Sequence, residues 1–115
     1  MKYTNYRTAP LDQFIYACAY SIDNETGYCH LIQPPVKGKI IKQEAGWNRY
    51  VFIPCKKNSD ELRSKSSAVG ADARHYADTY EECLELYNSF VQERINHLQK
   101  FIEDAQKDFI EVKYQ

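Results

Sequence analysis

No glycine and no proline occur between Ala71 and Gln115, so nothing in that stretch breaks a helix. Nor does the chain hold a run of roughly eighteen apolar residues, the length a membrane-crossing helix needs. The first residues, MKYTNYRTAPLD, lack the apolar core of an export signal. A soluble, cytoplasmic protein is expected. Cys18, Cys29, Cys55 and Cys83 are far apart, with no CxxC pair and no close histidine. Structural zinc sites draw ligands in close pairs, so these read as buried, reduced thiols and no metal is expected. Gly27, Gly38, Gly46 and Gly70 are equally scattered and make no phosphate loop. His30, His75 and His97 fall in no HExxH or Ser-His-Asp arrangement. A non-enzyme without cofactor is expected.

What the chain does have is a period. Leu84, Tyr87, Val91, Ile95, Leu98, Ile102, Ala105 and Phe109 step by three and four residues and share one helix face. Asp78 or Thr79 supplies the N-cap, and Glu81 or Glu82 completes a capping box. A helix from Thr79 to Phe109 is about 45 Å long, whereas a compact monomer of this size has a radius of gyration of about 13 Å. Such a rod overhangs its own domain. Cys83, Leu86, Phe90 and Phe101 form a second apolar row. One row can cover a sheet while the other packs on a symmetry mate, so a homo-oligomer is expected. A break near Glu103-Asp104, with the chain folding back, is the monomeric alternative.

The first half alternates with period two. Phe14, Tyr16, Cys18, Tyr20 and Ile22 alternate with Ile15, Ala17, Ala19 and Ser21, as a strand does. Asp23 to Gly27 is turn chemistry. Tyr28 to Gln33 is a second strand stopped by Pro34-Pro35, and Val36 to Glu44 a third. Ala45-Gly46 turns the chain into a fourth, Trp47–Cys55. The expected fold is therefore α+β: one domain with a four-stranded antiparallel meander over 13–55, a basic loop over 56–77 and a long helix over 78–110.

Charge is divided along the chain. Residues 76–115 carry four basic and nine acidic side chains, whereas basic charge gathers at Lys56, Lys57, Arg63, Lys65 and Arg74. The acidic helix argues against a nucleic-acid partner, which needs a concentrated positive face. Ten tyrosines supply flat rings with polar tips. Arg74, His75, Tyr76 and Thr79 put a cation and a ring just ahead of the free amides of a helix start, which can hold a phosphate and a base. Arg49 and Lys65 add donors, and Asn88 places an amide in mid-helix for an interface or a ligand. The alternative for this group is structural: Tyr76 staples the start of the helix and Arg74 is solvated.

The segment ADTYEECLELYNSFVQERINHLQKFIEDAQKDFI, preceded by NRYVFIPCKK, resembles small phage-encoded counter-defence proteins in which a short meander feeds a long acidic helix. The arrangement is similar to the anti-Thoeris sponges. That resemblance implies an oligomer that binds a cyclic ADP-ribose type signal, or a cyclic oligonucleotide, and withholds it without cleavage. Under the resemblance, Arg49, Tyr76 and Asn88 are the first positions to consider. The competing expectation is a protein that inhibits a host defence enzyme by direct binding, through its acidic helix or a strand edge.

Overall fold

The computed structural model describes residues 1–43 and 49–113. The expected turn at Ala45-Gly46 and the strand residues Trp47 and Asn48 lie outside the described residues, as does Tyr114. The fold is α+β, with a six-stranded antiparallel sheet and one C-terminal helix. In chain order the elements are β1 (Lys2–Tyr3), β2 (Ile15–Ile22), β3 (Cys29–Gln43), β4 (Arg49–Pro54), β5 (Val69–Gly70), β6 (His75–Ala77) and α1 (Tyr80–Lys113). The sheet order is β1-β6-β2-β3-β4-β5.

Six strands replace the four expected, for two physical reasons. The separate strands 28–33 and 36–44 are one strand, β3, running straight through Pro34-Pro35. Ala17 pairs with Val36 and Ala19 with Gln33, so the two prolines form a bulge opposite Cys18. On the other side of β3, pairing with β4 begins only at Gly38. Neither neighbour therefore asks the prolines for an N–H. In turn, the expected loop 56–77 delivers β5 and β6, and β6 enters the sheet between β1 and β2. A strand of three residues is too short to show a period.

Both faces of the sheet are covered. On one, Ile15, Ala17, Ile40, Phe52 and Tyr76 cluster with Ala9 and Ala71. On the other, Cys18, Ala77 and Cys83 pack with Tyr16, Leu86 and Tyr87, which joins α1 to the sheet. Gly38 is needed where β3 passes Phe52: an added Cβ would stand 2.3 Å from the Ile53 carbonyl and 2.5 Å from the Phe52 ring. All four cysteines are free thiols, and Cys18, Cys55 and Cys83 are buried. Contact with the Cys18 sulfur and burial both push the Cys83 thiol up.

The helix starts as the capping rule directs. Thr79 Oγ1 accepts from the Glu82 N–H at 3.2 Å and donates to the Glu82 carboxylate at 3.0 Å. From there α1 is continuous for 34 residues, about 51 Å of rise, without the break considered near Glu103-Asp104. The radius of gyration is 18.6 Å and the molecule spans 65 × 32 × 25 Å. Cys83, Leu86, Tyr87 and Phe90 face the sheet, with Tyr20 against Tyr87 and Phe90 at 5.9 and 6.1 Å. Past Phe101, where the turn at Gly27 still lies close to His97, Leu98 and Phe101, every helix residue through Asp108 is exposed.

Candidate functional site

The constellation expected at the helix start is present, but its groups are already occupied. Tyr76 sits on β6 between two neighbouring strands and is wholly buried. Its hydroxyl donates to the Ala71 carbonyl at 2.6 Å, its ring lies 6.0 Å from Phe52, and burial pushes its phenol well up. It offers no free ring face to a base. Arg74 is buried too, donating from Nε to Gln33 Oε1 and from a terminal nitrogen to the Gly70 carbonyl, both at 3.1 Å. The His75 ring bonds through Nδ1 to the Thr4 carbonyl at 3.1 Å and leans on Phe90 at 4.7 Å. Thr79 is spent on the cap.

The surroundings of that helix start are also acidic. Tyr3 donates to Asp78 at 3.0 Å, and the Met1 ammonium pairs with Asp78 and Glu82. That ammonium and the Thr79 hydroxyl hold the Glu82 carboxyl below its ordinary value. Carboxylates in the first turn already answer the helix dipole, so an incoming phosphate meets like charge there. The reading of Arg74, His75, Tyr76 and Thr79 as a phosphate and base site is corrected accordingly: these four hold the fold together.

The remaining candidates are apart. Arg49 is exposed at the start of β4, beside a cleft of about 310 Å³ lined by Tyr6, Tyr50, Gly70 and Asp72. Tyr6 and Tyr50 pack there at 5.3 Å. Lys65 is exposed on a short 3-10 turn, Lys65–Ser67, and Asn88 is exposed on α1. The fold does not gather them.

What it gathers is a basic cleft of about 500 Å³ beneath the turn that follows β4. Cys55 and Leu62 close this turn as an antiparallel bridge. The Lys56 N–H bonds to Glu61 O at 2.7 Å, and the Ser59 N–H to Lys56 O at 3.1 Å. Asn58 takes the positive φ of 56° that the reversal needs, which asparagine tolerates. Lys56, Lys57 and Arg63 come from this turn and Lys37 from β3, while Tyr16 and Tyr80 stand edge to face at 5.8 Å as an aromatic wall. Asp60 is the single carboxylate lining the cleft; it bonds Lys37 at 2.6 Å and raises that ammonium's pKa. Lys56 pairs with Glu61 at 3.0 Å. Among the described residues, Lys57 and Arg63 have no ion-pair partner.

Local spacing does not gather this group, although three of its cations, Lys56, Lys57 and Arg63, lie close together in sequence. Lys37 and Tyr16 lie far from the turn in sequence, and only β2–β3 pairing, with Tyr16 opposite Lys37, brings them to it. The available signal was Lys56-Lys57-Asn58-Ser59-Asp60 directly after Pro54, a turn whose cations must project beside the strand it leaves. Among the described residues no cluster of three histidine, cysteine or acidic side chains could hold a metal ion, and no helix is long and apolar enough to cross a membrane. Comparison with protein-family models, curated proteins and solved structures gave no match.

Proposed function

We propose that this is a non-enzymatic, phage-type counter-defence protein that binds an anionic nucleotide signal of the cyclic ADP-ribose or cyclic oligonucleotide class and withholds it from its effector. The observation that carries the reading is the basic cleft. Four cations line it, two of them, Lys57 and Arg63, without an ion pair among the described residues, and two tyrosine rings stand at its wall. Phosphates need the first and a base or ribose face the second. The site is thus moved from the helix start to Lys37, Lys56, Lys57 and Arg63. Withholding a nanomolar signal takes about −12 kcal/mol of binding free energy.

Calorimetry with cyclic ADP-ribose isomers and cyclic dinucleotides tests this, followed by chromatography of the recovered ligand. Binding with the ligand returned intact is expected, and binding that vanishes in Lys57→Glu/Arg63→Glu. Heat from none of these ligands removes the reading, and a converted ligand would make the protein an enzyme. The competing reading, direct inhibition of a host defence enzyme, draws on the exposed acidic side chains Glu81 and Glu93 of α1. It requires one stoichiometric host protein on pulldown, lost when those charges are reversed.

A further inference from the structure

Val91, Ile95, Leu98, Ile102 and Ala105 follow one another at alternating intervals of four and three residues. That is the 3.5-residue period of a coiled-coil seam, and in sequence it runs on to Phe109 and Val112. At 100° per residue the seam lies roughly 90° around the helix from the row that meets the sheet. The structure agrees: Ile95, Leu98 and Ile102 keep 42%, 37% and 57% of their surface exposed, though all three are large and apolar. Asn88, also exposed, takes the next seam position towards the helix start and ends the apolar run with an amide.

We infer that this stripe is covered by the same stripe of a second copy of the chain, with the two helices antiparallel. Three features select that occupant and that direction. The first is length. The overhang beyond Phe101 is about as long as the seam that runs beside the sheet from Asn88 to Leu98. In an antiparallel pair each overhang therefore lies along the sheet-bearing half of its mate, and the two sheets stand at opposite ends.

The second feature is layer matching. Leu98 meets Ile102 of the second copy and Ile95 meets its Ala105, each twice by symmetry, so large side chains fall on complementary ones. The third is charge. In this register Arg94, flanking the seam, falls beside Asp108 of the second copy, again twice. A parallel pair would instead set Glu81, which takes a seam position, against its own copy with Glu85 flanking it, whereas the sequence from Arg94 to Lys113 balances four cations with four carboxylates. Like charges side by side are what such pairing avoids.

The pairing is independent of ligand capture, and its readout is mass. Sedimentation velocity across dilution should show a species of twice 13.5 kDa. Ile102→Lys, at the most exposed seam position, alters two contacts per dimer and should weaken association about a hundredfold or more. Its circular dichroism at 222 nm should stay that of the folded chain, because the residue lies beyond the sheet. Arg94→Asp and Asp108→Arg should each weaken it about tenfold, and together restore it. Mixing the single variants Leu98→Cys and Ile102→Cys under mild oxidation should yield mainly the disulfide between the two different variants.

A chain that stays at 13.5 kDa at every concentration overturns the proposal, leaving the stripe to a foreign helix or to solvent. A dimer indifferent to Ile102→Lys overturns it as well. Disulfides formed chiefly within each single variant would show a parallel pair and overturn the antiparallel one.

Discussion

Two cationic neighbourhoods of this molecule look alike in sequence and differ in every physical respect. At 74–76 an arginine, a histidine and a tyrosine lie in a row; each is bonded to a backbone or amide oxygen, Arg74 just ahead of β6 and the other two within it. At 56–63 two lysines and an arginine ride a turn, and only Lys56 has found a carboxylate among the described residues. A cation beside a ring is thus a binding element only while its donors remain unclaimed. Near the middle of a sheet, backbone carbonyls claim them first.

The contrast can be broken at its strongest point with Tyr76→Ala. Emptying a buried aromatic site should cost about 3–5 kcal/mol in chemical denaturation, and a loss under about 1 kcal/mol would return Tyr76 to the list of ligand residues. Arg74→Met comes next. It strands Gln33 and the Gly70 carbonyl, at a cost of about 1–3 kcal/mol by the same measurement. Thr79→Ala removes only the cap and should cost about 1 kcal/mol, read as a lowered thermal midpoint.

A pH series sharpens the contrast further. Burial raises the Tyr76 phenol, so the unfolded chain gives up that proton first, near the ordinary value of about 10. Stability supplied by the protonated phenol is complete below that pH and declines as pH rises through the alkaline range. Tyr76→Phe should flatten that decline in denaturation curves taken on both sides of it. The smallest stability effect belongs to the open neighbourhood: Lys57→Glu/Arg63→Glu should shift folding by no more than about 0.5 kcal/mol. The same double variant should abolish nucleotide binding, so the ranking by stability and the ranking by binding run in opposite order.

How much of this was legible depended on the range of the physics involved. The helix and its cap were readable, because Thr79, Glu82 and the three-four spacing act within a few residues of one another. Strand β2 was readable for the same reason. The continuity of β3 was not: Pro34-Pro35 ends a strand by local rules, and only the bulge opposite Cys18, with β4 starting at Gly38, lets it continue. Strand β6 was hidden because three residues carry no period, and with it went the burial of Tyr76. Lys37 joins Lys57 and Arg63 only after the sheet has formed, so no spacing in the chain announces that group.

The proline pair has a consequence of its own. From Cys29 to Val36 the outer side of β3 has no strand beside it among the described residues, the Lys37 carbonyl being taken by the Cys55 N–H, so this stretch is open margin on which foreign chains could stack. Pro34-Pro35 bulges opposite Cys18 and carries no amide proton, so an arriving segment meets an irregular stretch that lacks a donor. Replacing both with threonine, whose amides could pair, should make this margin more prone to edge-to-edge stacking, read as a shorter lag in aggregation assays.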